Sequence, residues 1–301
     1  MTGKRLAPVL GALLLGCGGG GSAGPGTVPA VAPGPASAPL AICGRLRAVK
    51  TGAVQTGQAP ELSGMVLSRS QPGVLWTHND SGDRPRVFAL RPDGGVLADL
   101  DVPGAHAFDW EDIAIRGRTL YLADIGDNAH ARATIDIYEV PEPRVPATGT
   151  TAPAARLSLR YLDGPHDAET LLVDPRSGEI VIVTKELSGR SGVYVARGSR
   201  KTLRFAGHLD LGLASLATAG DVSADGRVIA IRTYSDVFAW RHTPGTSLAA
   251  ALRGKPCVSP TLLREAQGEA LALTRDGRAF YTVPEGEHAT IRRYAPVRHS
   301  R

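Results

Sequence analysis

The 301-residue sequence predicts an all-β chain folded as a five-bladed β-propeller, on three observations. Five segments repeat one pattern of apolar alternation, turn and second apolar run. Their first residues, Ser63, Glu111, Glu169, Thr218 and Glu269, are spaced by 48, 58, 49 and 51 positions. The fifth repeat lacks a fourth strand, and residues 43–54 can supply it from the N-terminal side, closing the ring without an open edge. Counting that N-terminal segment as a separate unit gives a six-bladed ring as the alternative.

Taken in order, the paired inner runs are 63–67 with 74–77, 111–115 with 120–123, 169–173 with 180–184, 218–222 with 228–231, and 269–273 with 279–282. Gly73, Gly117, Gly178, Gly226 and Gly277 mark the turns between them. Third strands are expected at 87–90, 135–138, 193–195, 237–240 and 291–294, and fourth strands at 96–102, 157–162, 202–209 and 248–252.

The composition is that of a globular chain with a sizeable core, at 43% hydrophobic and 21% charged residues. The formal charge of +5 is dispersed, and no run of basic residues offers an arm for nucleic acid, so nucleic-acid binding is not expected. Past residue 20 no apolar run approaches the roughly 18 residues that span a bilayer.

The N-terminus carries an address. Lys4 and Arg5 precede the apolar stretch 6–15, and Leu14-Leu15-Gly16-Cys17 follows, similar to a bacterial lipobox whose cysteine is lipidated after cleavage. The expected organisation is a signal at 1–16, lipidated Cys17 with a Gly/Pro-rich tether over 17–40, and the propeller over 41–301. Removing Lys4 and Arg5 takes the formal charge from +5 to +3. Such a protein would be held by lipid alone at a cell or outer membrane, facing the periplasm or exterior. In an exported chain the remaining cysteines, Cys43 and Cys257, are expected to form a disulfide across two neighbouring blades.

First strands line a propeller's channel, so Ser63, Glu111, Glu169, Thr218 and Glu269 should converge on its axis. Three carboxylates in a narrow channel need a proton or a counter-cation. Calcium suits hydroxyl and carboxylate oxygens in loose geometry, magnesium demands a stricter octahedron, and no Cys or His cluster favours zinc. The competing expectation is that the glutamates pair with Lys185 and Arg232. Around this ring, loops on one face carry a candidate ligand set: His78, Asn79, Asp80, Asp83, Asp109, Asp124, Asp127, Asn128, His166 and Asp167, with Lys185 and Arg232. Asp and Asn are also common turn formers, so part of this set has a structural reading.

Glu61-Leu-Ser-Gly64, His78-Asn-Asp-Ser-Gly82, Asp109-Trp-Glu-Asp-Ile-Ala114, Asp124-Ile-Gly-Asp-Asn128 and Asp167-Ala-Glu-Thr170 resemble a group of exported bacterial propeller proteins of unassigned function. The blade-order set Ser63, Glu111, Glu169, Thr218 and Glu269 is more distantly similar to the channel ring of calcium-dependent five-bladed apyrases, with Thr in place of one Ser. That resemblance implies a calcium ion at these five residues. Two functions follow as expectations. The first is a membrane-tethered module presenting a calcium-bearing face to a ligand or partner protein at the channel mouth. The second is a calcium-dependent phosphohydrolase in which Asp80 or Asp124 is the general base and Lys185 and Arg232 neutralise phosphate charge. No G-x-S-x-G elbow supports a serine hydrolase.

Overall fold

The computed structural model describes residues 39–198, 201–259, 263 and 265–297. The expected signal, Cys17 and the tether up to residue 38 lie outside them. After a 3₁₀ turn at Ala41–Cys43 comes β1 (Leu46–Ala53), which pairs with the last strand of the chain. The first sheet is an antiparallel meander of β2 (Leu62–Leu67), β3 (Leu75–Asn79), β4 (Arg86–Leu90) and β5 (Val96–Asp101). The second holds β6 (Trp110–Arg116), β7 (Thr119–Asp124) and β8 (Ile135–Pro141); the two-residue β9 (Gly149–Thr150) then reaches back to β5, and β10 (Ala155–Tyr161) completes the sheet. In the third are β11 (Ala168–Val173), β12 (Ile180–Thr184), β13 (Arg190–Ala196) and β14 (Thr202–Asp210), with a short parallel pairing between β10 and β14. The fourth contains β15 (Ala217–Val222), β16 (Val228–Thr233), β17 (Val237–Arg241) and, after helix α1 (Leu248–Leu252), β18 (Cys257–Val258). In the fifth, β19 (Ala270–Leu273), β20 (Phe280–Val283) and β21 (Thr290–Pro296) are completed by β1.

The innermost strands β2, β6, β11, β15 and β19 touch in a closed cycle, each against the next and β19 against β2. Alternation explains the packing. In β7, Leu120 and Leu122 face the core shared with the first sheet, while Tyr121 and Ala123 face the core shared with the third. The inner strands are therefore largely apolar on both faces, and the apolar clusters lie between neighbouring sheets all the way round. This is a β-propeller.

One expected strand is wrong. Residues 248–252 form helix α1, because Leu-Ala-Ala-Ala-Leu is made of strong helix formers and buries Leu248, Ala249 and Leu252 on one side. The fourth strand of that sheet is β18, paired to β17 through Phe238–Val258 and Ala239–Cys257. The expected Cys43–Cys257 disulfide is present, with Cα atoms 5.9 Å apart, and links the segment before β1 to β18 across the seam between the fourth and fifth sheets. Among the described residues no helix is long and apolar enough to cross a membrane.

Candidate functional site

A shared irregularity builds the channel mouth. The pairing of first and second strands slips by one residue beside Ser63, at Glu111, at Glu169 and at Thr218. A bulge of this kind re-aims one side chain out of the pleat. The chain before each bulge arrives from the loop of the preceding sheet, so the ring residues and the loops after second strands share one face. All five ring residues are buried.

Hydrogen bonds to the backbone engage two of the five ring side chains. Ser63 Oγ donates to the Glu111 carbonyl at 2.6 Å, and Thr218 Oγ1 donates to the Gly268 carbonyl at 2.9 Å. Both hydroxyls thus staple neighbouring inner strands. Glu169 Oε1 accepts from Lys185 Nζ, as the pairing alternative expects, but Glu169 Oε2 is buried without a hydrogen-bond partner among the described residues. Tyr234 stands on this side and favours the charged form of Glu269.

The three carboxylates that do converge are Asp80, Asp109 and Glu111, each with an oxygen within 4.8 Å of the others. Asp80 follows β3, Asp109 precedes β6, and Glu111 is the bulge residue. Gly126 makes their meeting possible. A Cβ there would lie 2.2 Å from Glu111 Oε1 and 2.4 Å from Asp109 Oδ2, and the Ile125 and Gly126 amides anchor the Asp109 carbonyl at 3.1 and 3.2 Å.

Crowding sets the electrostatics. Burial, then Glu169, Asp80 and Asp109, pushes Glu111 well above the usual carboxylate range. Burial, then Asp80 and Asp167, raises Asp109 to about 6. Burial, then Glu269, Asp80 and Glu61, raises Glu285 to about 7. Asp80, Glu169 and Glu269 are also raised, chiefly by burial. Lys185 is the cation inside this group, and its own pKa is held up by Glu169 against the cost of burial. A set of carboxylates that repel one another in a buried mouth is relieved by protons or by a hard cation, and its all-oxygen donors fit calcium or magnesium chemistry.

Several expected ligand residues are structural. His78 lies below the mouth, fully buried edge-on to Trp110 with Nδ1 2.8 Å from the Asn79 carbonyl, and burial lowers its pKa to about 4. Asn79 ties the Gln58 carbonyl and Asp83, and Asp83 pairs with Arg86 at 2.6 Å. Asp127 accepts the Ala131 and Arg132 amides and donates its own to Asp167 at 2.8 Å. Asn128 is exposed, and His166 bonds Tyr194 and Asp163 at the edge of an aromatic cluster.

Arg232 forms its ion pair away from the ring glutamates, although it is near enough to favour the charged form of Glu269. It is fully buried, reaches 2.5 Å from Glu265 and donates to the Ala270 carbonyl, because Gly268 leaves room for its guanidinium beneath β19. Asp124 is paired to Arg132 at 2.8 Å and accepts the Asp109 amide at 3.1 Å. Sequence reasoning missed Asp112, which accepts the Leu171 and Gly220 amides at 2.8 and 3.0 Å and so bridges three inner strands. A charged residue inside an otherwise apolar strand was the available signal.

The propeller is the class that fold and site define, and comparison with known proteins adds detail at that level. No family model and no curated protein matches the chain. Among solved structures, the soluble aldose sugar dehydrogenase from Escherichia coli in its apo form superposes with a TM-score of 0.51 at 9% identity, over 84% of this chain and 100% of that one. XC5397 from Xanthomonas campestris, described as a gluconolactonase, gives 0.49 at 14% identity, over 84% and 90%. The Cps50 (Swd1) β-propeller domain of Myceliophteria thermophila gives 0.44 at 12%, over 83% and 89%. At these identities the likeness is one of fold.

Proposed function

We propose that this chain is an exported, lipid-anchored propeller whose channel mouth holds calcium between Asp80, Asp109 and Glu111 and presents it to a ligand or partner protein. The observation that carries the reading is the convergence of three carboxylates in a pocket that only a glycine at position 126 leaves open. The buried, unpartnered Glu169 Oε2 adds a further oxygen in want of a positive charge. A bound calcium ion would supply a positive centre that an anionic or carbonyl oxygen of the ligand could complete. Asp124 and Arg132 hold the Asp109 backbone in place, and Lys185 offsets Glu169.

Surroundings of the mouth favour binding over hydrolysis. The four most exposed large apolar side chains among the described residues are Leu213, Leu187, Phe108 and Leu162, at 87%, 76%, 65% and 62%. All four lie on loops that follow second or fourth strands, the loops of the mouth side. Such a rim around an acidic centre suits recognition. Of the residues expected for a phosphohydrolase, Asp80 stays in the mouth, whereas Asp124 pairs with Arg132, Lys185 with Glu169, and Arg232 with Glu265, which leaves no unpaired cation among them for a phosphate. Isothermal titration of the folded domain with calcium tests the reading. One saturable site is expected, weakened at least tenfold by Glu111→Gln; absence of saturable heat contradicts it.

A further inference from the structure

Helix α1 creates a second cavity, which shares no lining residue with the mouth. It packs on β13, β14 and β17 and so covers the seam between the third and fourth sheets. A buried carboxylate fixes it there: Glu179 accepts the Leu248 amide at 2.6 Å, the Ser247 hydroxyl at 2.7 Å, and Arg197 Nε and Nη2 at 2.9 and 2.6 Å. Between helix and strands remains an open cavity of about 290 Å³ with Val195, Ala206 and Ala249 in its wall. Arg197, Arg204 and Arg253 line it too. Glu179 is matched by Arg197, whereas neither the Arg204 nor the Arg253 side chain has an ion-pair or hydrogen-bond partner among the described residues. Thr202 adds a hydroxyl to the same wall.

We infer that this cavity binds a small oxyanion, a carboxylate or phosphate carried on a compact apolar body, with Arg204 and Arg253 as the anion-binding pair. Guanidinium groups match the two-oxygen edge of either anion, and Arg197 is already oriented by its double bond to Glu179. The apolar wall has room for a ring or a short branched chain, near the lower end of ligand-cavity sizes. The site shares no residue with the mouth, so it stands or falls independently of calcium there.

Ligand-observed NMR on the calcium-loaded domain tests this with phenyl phosphate, benzoate, inorganic phosphate and neutral benzyl alcohol as probes. Saturable binding of phenyl phosphate or benzoate is expected, with the preferred one identifying the head group and inorganic phosphate weaker for want of the apolar body. The double variant Arg204→Ala/Arg253→Ala should lose at least tenfold in affinity with an unchanged melting temperature, since both side chains are exposed and unpaired. Saturable binding of neither aromatic anion, equal binding of benzyl alcohol, or affinity unaffected by the double variant would overturn the proposal.

Discussion

Gly126 decides whether Asp109 and Glu111 can approach each other. Gly126→Ala inserts a methyl group into the space their oxygens occupy, so it should lower calcium affinity at least tenfold while leaving circular dichroism unchanged; titration calorimetry measures the loss. Lys185 has the complementary role. Removing it as Lys185→Met strands Glu169 among other carboxylates, which should cost up to about 3 kcal/mol in chelator and less in calcium, as read by chemical denaturation. If the loss were the same in both media, Lys185 and the cation would not share a task. The ring positions and Asp80 and Asp109 were legible as residue types. Their grouping was not, because Asp80 and Glu111 come from different sheets and Gly126 carries no side chain to draw notice. Arg232 misled for the same reason: its partner Glu265 and the gap at Gly268 are set by the next sheet.

Among elements, the inner strands were the most readable, since each alternates apolar residues between two cores and ends at a glycine turn. The bulges were not readable, because they are properties of pairing and leave no period in the sequence. Helix α1 shows the opposite failure, in which an apolar run of five satisfied both a strand and a helix template until Glu179 from the preceding sheet capped it. The short β18 beside it holds only two ladder residues, so the disulfide is its main tie. Cysteines 214 positions apart close a long loop, and chain-entropy arguments give about 5 kcal/mol for that constraint. Reduction, or Cys43→Ser/Cys257→Ser, should therefore lower the denaturation midpoint substantially; a midpoint unmoved by reduction would show that the seam holds without it.

Over the whole molecule the channel mouth concentrates acid in a chain whose formal charge is +5. This gives the metal-free protein a characteristic pH response. Carboxylates raised in the folded state, Glu285 to about 7 among them, bind protons more tightly folded than unfolded. Stability without calcium should then rise as pH falls from about 8 through the folded pKa of Glu285, about 7, and that of Asp109, about 6, with a shallower slope below about 6.5, where buried His78, held down to about 4, favours the unfolded state and offsets part of the gain. Calcium should flatten the upper limb, because it replaces the protons. The most direct measurement is the melting temperature at pH 7.5 in chelator and then in excess calcium. A ligand bound only by the folded state at a hundredfold excess over Kd adds about 2.7 kcal/mol, so the account predicts a rise of roughly 5 °C or more with calcium. The rise should be absent in Glu111→Gln. A melting temperature that neither chelator nor calcium moves would contradict the cation-bearing mouth.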